Sequence, residues 1–339
     1  MSASAPAPGG AVDVHVHVTV PGLLWAPGHE DSWRPRVERD AEGRQVRVEL
    51  GGRPMRSIVA ELADLQVILE GERRRGVDRL VVSPWVSTLP LEMDPGAAAE
   101  VCRVQNAALA SAVQARPHEL RALAAVPLQD GELAATVLDE ARALGLAGAE
   151  VTPSVQNRWL GDPWLEPFFS AAAALEMPVF VHPGTHGLGI DVFEEYYLWN
   201  AVANPVETAA AAAHLVLAGT LERNPGLQIV LAHGGGVLGS LVGRLERAFS
   251  VRSESRAKLH EGPRASVRRL YVDSVTHDRA VLGGLVDLLG SGHVLLGSDH
   301  PFDMGSDDPV GEVLALGLDE RATRRILAEN AVALFFSRE

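Results

Sequence analysis

The chain has one cysteine, Cys102, in 339 residues. An intramolecular disulfide is therefore excluded, and nothing points to an oxidising compartment. Aromatic residues are scarce at 5%, so the 47% hydrophobic content is dominated by Ala, Leu and Val. That composition suits short helices packed on branched strands and carries no signature of disorder. Basic charge is also in short supply. With 30 Lys and Arg against 44 Asp and Glu, the formal net charge is −14. This argues against a general nucleic-acid or anionic-membrane binder, while leaving room for a positive pocket around a metal and a few arginines. No apolar run approaches the length of a membrane span. The opening MSASAPAPGG lacks the basic region and apolar stretch of a signal peptide. A cytoplasmic enzyme is expected, with residues 1–10 as a flexible tail.

What is present is alternation. Branched, strand-like runs occur at Val12–Val18, Val77–Ser83, Arg121–Val126, Ala147–Thr152, Pro178–His182, Leu227–His233, Leu270–Asp273 and His293–Gly297. Helical patterns separate them, at Ala97–Gln114, Gly131–Leu144, Pro163–Leu175, Val206–Arg223, Val237–Phe249, Asp278–Leu289 and Glu320–Phe336. Eight such units imply a parallel sheet covered by helices, closing most naturally into an α/β fold of the (β/α)8 TIM-barrel type. An open, doubly wound sheet is the alternative. Residues 11–339 are expected to form a single barrel domain. Residues 19–57 break the repeat, with Pro and Gly around a short strand, QVRVEL, followed by a Gly51-Gly52 turn. An insertion after the first barrel strand lies where loops over a barrel mouth begin, so it is expected to form the rim of an active site.

The strongest local feature is Asp13-Val14-His15-Val16-His17. Residues two apart on a strand share a face, so His15 and His17 are expected to point one way, together with Asp13. Apolar strands also end in His182, in His233 and, after Gly297-Ser298, in Asp299. Since all barrel strands end at one mouth, these side chains can meet although far apart in sequence. His15, His17, His182 and Asp299 form a mononuclear metal set. Three imidazoles and one carboxylate suit Zn²⁺ first, and also Mn²⁺, Fe²⁺ or Co²⁺. His233 is the candidate base toward a metal-activated water.

Through DVHVH, FVHPG, LAHGGG, YVDSVTHD and VLLGSDHPF the sequence resembles the amidohydrolase superfamily. Within it, the chain is similar to the aminocarboxymuconate-semialdehyde decarboxylase-like branch of metal-dependent decarboxylases, from Val12 to about Phe336. The resemblance implies metal ligands at His15, His17, His182 and Asp299, and His233 holding and deprotonating the water. It implies no carbamylated lysine, and Ala147–Thr152 has none. It also implies that Arg47 binds a substrate carboxylate and that Arg244, from a neighbouring subunit of a homodimer, does the same. Arginine's fixed fork suits a carboxylate. The pocket wall departs from the branch at Gly184 and at Asn200, where aromatics are expected, and at His300; His186 is an addition.

Three readings follow. The first is nonoxidative decarboxylation of a small unsaturated or aromatic carboxylic acid, with Asp299 passing on a proton as well as binding metal. The second is a metal-dependent hydrolase or hydratase acting on an amide, lactone, cyclic C–N bond or enoic acid through the same water. The third is a noncatalytic scaffold. Cys102 reads as a core residue, Gly234–Gly236 as a close backbone approach rather than a phosphate loop, and Arg73–Arg75 as the solvated end of a helix. His277-Asp278 either orients the strand-eight carboxylate or starts a helix, and His118 and His260 read as surface residues.

Overall fold

Each barrel strand is a short run of branched or small residues bounded by a turn or a helix cap. In chain order they are β1 (Ala11–Val18), β2 (Val77–Pro84), β3 (Leu120–Ala125), β4 (Gly148–Val151), β5 (Val179–Val181), β6 (Ile229–Leu231), β7 (Tyr271–Asp273) and β8 (Val294–Leu295). The computed structural model describes residues 10–19, 36–39, 41, 45–50, 53–54, 60–184 and 191–337. The eight strands pair in sequence order, and the pairings are parallel. Beyond β8 the chain returns to β1: Val14 N donates to Leu296 O at 3.0 Å, Asp299 N to His15 O at 2.8 Å and His17 N to His300 O at 2.8 Å. These bonds bring the ends of the sheet together as a (β/α)8 barrel, and an open doubly wound sheet is ruled out.

Helices cover the outside: α1 (Leu65–Arg74), α2 (Pro95–Ala115), α3 (Gly131–Ala143), α4 (Glu166–Ala174), α5 (Asn204–Leu217), α6 (Leu238–Val251) and α7 (Arg279–Leu289). Asp64, Asp94, Asp130 and Asp278 accept backbone N–H groups at the starts of α1, α2, α3 and α7. Part of the acidic excess thus serves as helix caps, each worth about 1 kcal/mol. The Val206–Arg223 pattern divides at Gly219, whose φ of 70° breaks the helix. The Glu320–Phe336 pattern divides into an α-turn and two π-helical turns. Its Ala328, Ala331, Leu334 and Phe335 pack beneath the barrel interior.

The core has two parts. Val81, Leu123, Phe180, Val230 and Leu295 fill the interior, and a larger cluster, including Leu80, Val82, Val179, Leu231 and Leu296, fills the space between strands and helices. Two residues beyond the inward Val81, Phe180 and Tyr271 come Ser83, His182 and Asp273, all buried. The period-two alternation of strands thus stacks a polar layer directly on the apolar one.

β1 departs from simple alternation. From Asp13 to Val16 it advances three residues while β2 advances two, Leu80 to Val82, which is a β-bulge. Val12 and Val14 join the interior cluster, whereas Val16 and Val18 join the outer one. The expectation that Asp13 shares a face with His15 and His17 therefore fails. The extra residue turns both histidines into the mouth, and Asp13 lies instead beside Glu72 of α1.

Of the insertion, strands Arg36–Arg39, Gln45–Leu50 and Arg53–Pro54 form a small antiparallel sheet. QVRVEL, expected as a short strand, is the central one of the three. Among the described residues, no helix is long and apolar enough to cross a membrane.

Candidate metal centre

His15, His17, His182 and Asp299 converge, with one ligand atom from each lying within 4.8 Å of the others, and all four residues are buried. His15 Nε2 lies 3.1 Å from His17 Nε2, and each of these atoms lies 3.2 Å from Asp299 Oδ1. That is about the separation of two ligands on one tetrahedral ion with bonds of about 2.0–2.2 Å. His182 Nε2 and Asp299 Oδ1 are buried without a hydrogen-bond partner among the described residues, an expensive arrangement unless something binds them. The residues present fit a divalent cation.

The other nitrogen of each ligand ring is engaged from behind. His15 Nδ1 meets Asp273 Oδ2 at 2.6 Å, His17 Nδ1 meets Ser83 Oγ at 3.2 Å and His182 Nδ1 meets Pro183 O at 2.9 Å. Such outer partners fix the tautomer and aim Nε2 at the metal. Asp273 also accepts His233 N at 2.9 Å, Gly234 N at 2.8 Å and Val275 N at 3.1 Å. Gly297 makes room for this pair. A Cβ there would stand 2.9 Å from Asp273 Cβ and 3.0 Å from His15 Cβ.

Burial opposes a charge on His15, but Asp299 and Asp273 outweigh it and push its pKa up to about 10. Burial lowers His17 and takes His182 well below the usual imidazole range. Burial would raise Asp299, yet the charge and hydrogen bonds of the histidines hold it well below the usual carboxylate range. Asp273 is lowered by His15 in the same way, against burial. Without a cation, one proton thus resides on His15 between two carboxylates, leaving net negative charge for a cation to neutralise.

His233 stands beside this set. Its Nε2 lies 3.3 Å from Asp299 Oδ2, while Oδ1 of the same carboxylate faces His15 and His17. His233 and Asp299 both hold left-handed backbone, with φ of 56° and 61°, a conformation that non-glycine residues keep only where the surroundings enforce it. Gly234–Gly236 continue at positive φ, and a Cβ on Gly236 would meet Pro205 O at 2.0 Å, so the close approach made here is to the backbone of Pro205, where the metal pocket was expected. On the mouth side the Phe302 ring packs 5.1 Å from that of His17, and Trp85 lies 6.3 Å from Phe302.

Other expected residues fall differently. Arg244 is exposed on α6 without a side-chain partner among the described residues. Arg47 lies in the Gln45–Leu50 strand, but its side chain lies outside the described residues, as does His186. Arg73 and Arg74 are exposed, as expected of a solvated helix end, whereas Arg75 is half-buried. It binds Glu72 Oε1 at 2.9 Å and His300 Nδ1 at 2.9 Å, turning one face of His300 toward α1. His277 is exposed and Asp278 caps α7, so the helix-start reading holds. Cys102 is buried, and His118 and His260 are exposed. Asp273, Ser83 and Glu150 also border the site, although the sequence singles none of them out. Glu150, on β4, is buried with both carboxyl oxygens unpartnered among the described residues, and burial pushes its pKa up to about 8. Its only sequence signal is a lone carboxylate inside an otherwise small and apolar strand, GAEV.

Residues 12–336 match the amidohydrolase family. The chain belongs to that family. It is 30% identical over 266 residues to 2-amino-3-carboxymuconate-6-semialdehyde decarboxylase of Dictyostelium discoideum, across 77% of this chain and 73% of that relative. It is 28% identical over 272 residues to gamma-resorcylate decarboxylase of Rhodococcus jostii, across 72% and 79%. Its fold matches dihydroxybenzoic acid decarboxylase of Polaromonas sp. JS666, solved with manganese and 2-nitroresorcinol, at a TM-score of 0.79 and 21% identity over 97% of this chain and 98% of that one.

Proposed function

We propose that this amidohydrolase is a metal-dependent nonoxidative decarboxylase of a small unsaturated or aromatic carboxylic acid. One observation carries the reading: Asp299 turns one oxygen to His15 and His17 of the metal set and the other to His233. A metal site and a proton-transfer pair therefore share one carboxylate. The relatives above, all decarboxylases of unsaturated or aromatic acids, favour this chemistry over hydrolysis.

His15, His17, His182 and Asp299 would hold the ion. A divalent cation there supplies Lewis acidity toward a water or a substrate oxygen. Zinc suits three imidazoles and a carboxylate, and manganese is the alternative suggested by the Polaromonas enzyme. His233, in contact with Asp299, holds and moves the proton. Delivered to the carbon that bears the carboxylate, the proton takes that carbon out of conjugation. The electrons of the breaking C–C bond then restore the conjugated system as CO₂ leaves. Phe302, against His17, offers a flat apolar wall to a planar substrate.

Arg47 binds the acid group from the rim formed by residues 19–57 of the single 11–339 domain. Arg244, exposed on α6, reaches the pocket of a second subunit in a homodimer. The lone, buried Cys102 suits a reducing, cytoplasmic setting.

The test is CO₂ release by zinc- and manganese-loaded protein across hydroxybenzoic and muconate-type acids, with lactones, amides and enoic acids in parallel. Metal-dependent CO₂ from one acid class supports the reading. Water addition to the second group without CO₂ from the first would replace it with a hydrolase or hydratase.

A further inference from the structure

The three histidine ligands are not equally supported from behind. His15 has a carboxylate on Nδ1 at 2.6 Å and His182 has a backbone carbonyl at 2.9 Å, whereas His17 has only the Ser83 hydroxyl at 3.2 Å. A hydroxyl that accepts from an imidazole must place its own proton somewhere. Its bond to the backbone oxygen of Val16 is 3.5 Å long, at the outer limit of a hydrogen bond.

Glu150 fills this gap. Its position on β4 is in register with Phe180 of β5, whose ring packs 5.0 Å from that of His15. The carboxyl therefore points into the barrel, behind the metal ligands. Its Oε1 stands 3.9 Å from His17 Nδ1, the nitrogen that the Ser83 hydroxyl contacts at 3.2 Å. Only 1% of Glu150 is exposed, and neither oxygen has a hydrogen-bond partner among the described residues. A buried, unsatisfied carboxyl is costly and calls for a reason.

We infer that Glu150, standing behind the Nδ1 that Ser83 contacts, is the outer acid group of His17, as Asp273 is of His15. It is a positioning residue. It holds the proton of His17 on Nδ1, leaves Nε2 free for the metal and raises the donor strength of that nitrogen. The inference rests on the metal centre proposed above.

The test compares metal-free wild type with Glu150→Gln and Ser83→Ala. Each would be titrated with Zn²⁺ against a chromophoric chelator, with thermal unfolding of the metal-free forms and the absorption spectrum of the Co²⁺ forms recorded. Glu150→Gln keeps the shape and removes the ionisable acid. It should bind Zn²⁺ about 10- to 100-fold more weakly, shift the Co²⁺ bands and unfold, metal-free, at a temperature no lower than wild type. Ser83→Ala should weaken binding in the same direction. Wild-type affinity in Glu150→Gln overturns the inference. So does a lower metal-free Tm with unchanged Co²⁺ bands, which would assign Glu150 to the fold alone. Wild type that takes up no Zn²⁺ overturns the metal centre itself, and this inference with it.

Discussion

His15, within β1, and Asp273, at the end of β7, are 258 positions apart and joined by a 2.6 Å contact between Nδ1 and Oδ2, both buried. The same carboxylate collects three backbone N–H groups from the turns after β6 and β7. Asp273 thereby ties the first metal ligand to the loop that carries His233.

Asp273→Asn should therefore lower metal affinity about 10- to 100-fold and reduce turnover further, because the His233 turn loses part of its anchor. Chelator competition on the metal-free protein checks the first effect. Unchanged affinity would mean that His15 is oriented by packing alone.

The proton on His15 gives metal binding a definite pH dependence. The folded, metal-free pKa of about 10 lies above the ordinary 6.5. The stabilisation from its charge is thus fully present below 6.5 and is lost as pH rises through about 10. A metal must displace this proton. Calorimetry at pH 7 to 8 in buffers of different ionisation enthalpy should show about one proton released per ion, and affinity should rise about tenfold per pH unit until about pH 10. Binding without proton release in that window would contradict the ionic state described above.

His233→Asn should retain the metal while turnover falls by about 10²- to 10⁴-fold, the usual contribution of a general acid–base group. Metal content and CO₂ production measured on the same sample separate the two effects. Loss of the ion together with activity would make His233 a ligand instead of a proton carrier.

Much of this architecture is legible in the sequence because parallel barrel strands are short branched runs between turns. The expected FVH and LAH segments do end at the mouth with His182 and His233. The bulge in β1 is not legible, since an inserted residue leaves the Val/His alternation intact and shows only in the pairing with β2. Asp273 ends its strand as His182 and His233 follow theirs, yet a lone aspartate before Ser-Val-Thr reads equally well as a turn residue. Arg75 was hidden by its neighbours: only the fold reveals that one arginine of three turns inward to Glu72 and His300.

The most direct test is CO₂ formation followed as metal is added back to the metal-free protein with its best acid substrate. Decarboxylation at a single metal site requires no CO₂ at the start, a linear rise and a plateau at one ion per chain, with His182→Ala failing to reach that plateau at the same metal concentration. CO₂ production that persists without metal, or survives His182→Ala undiminished, would contradict it.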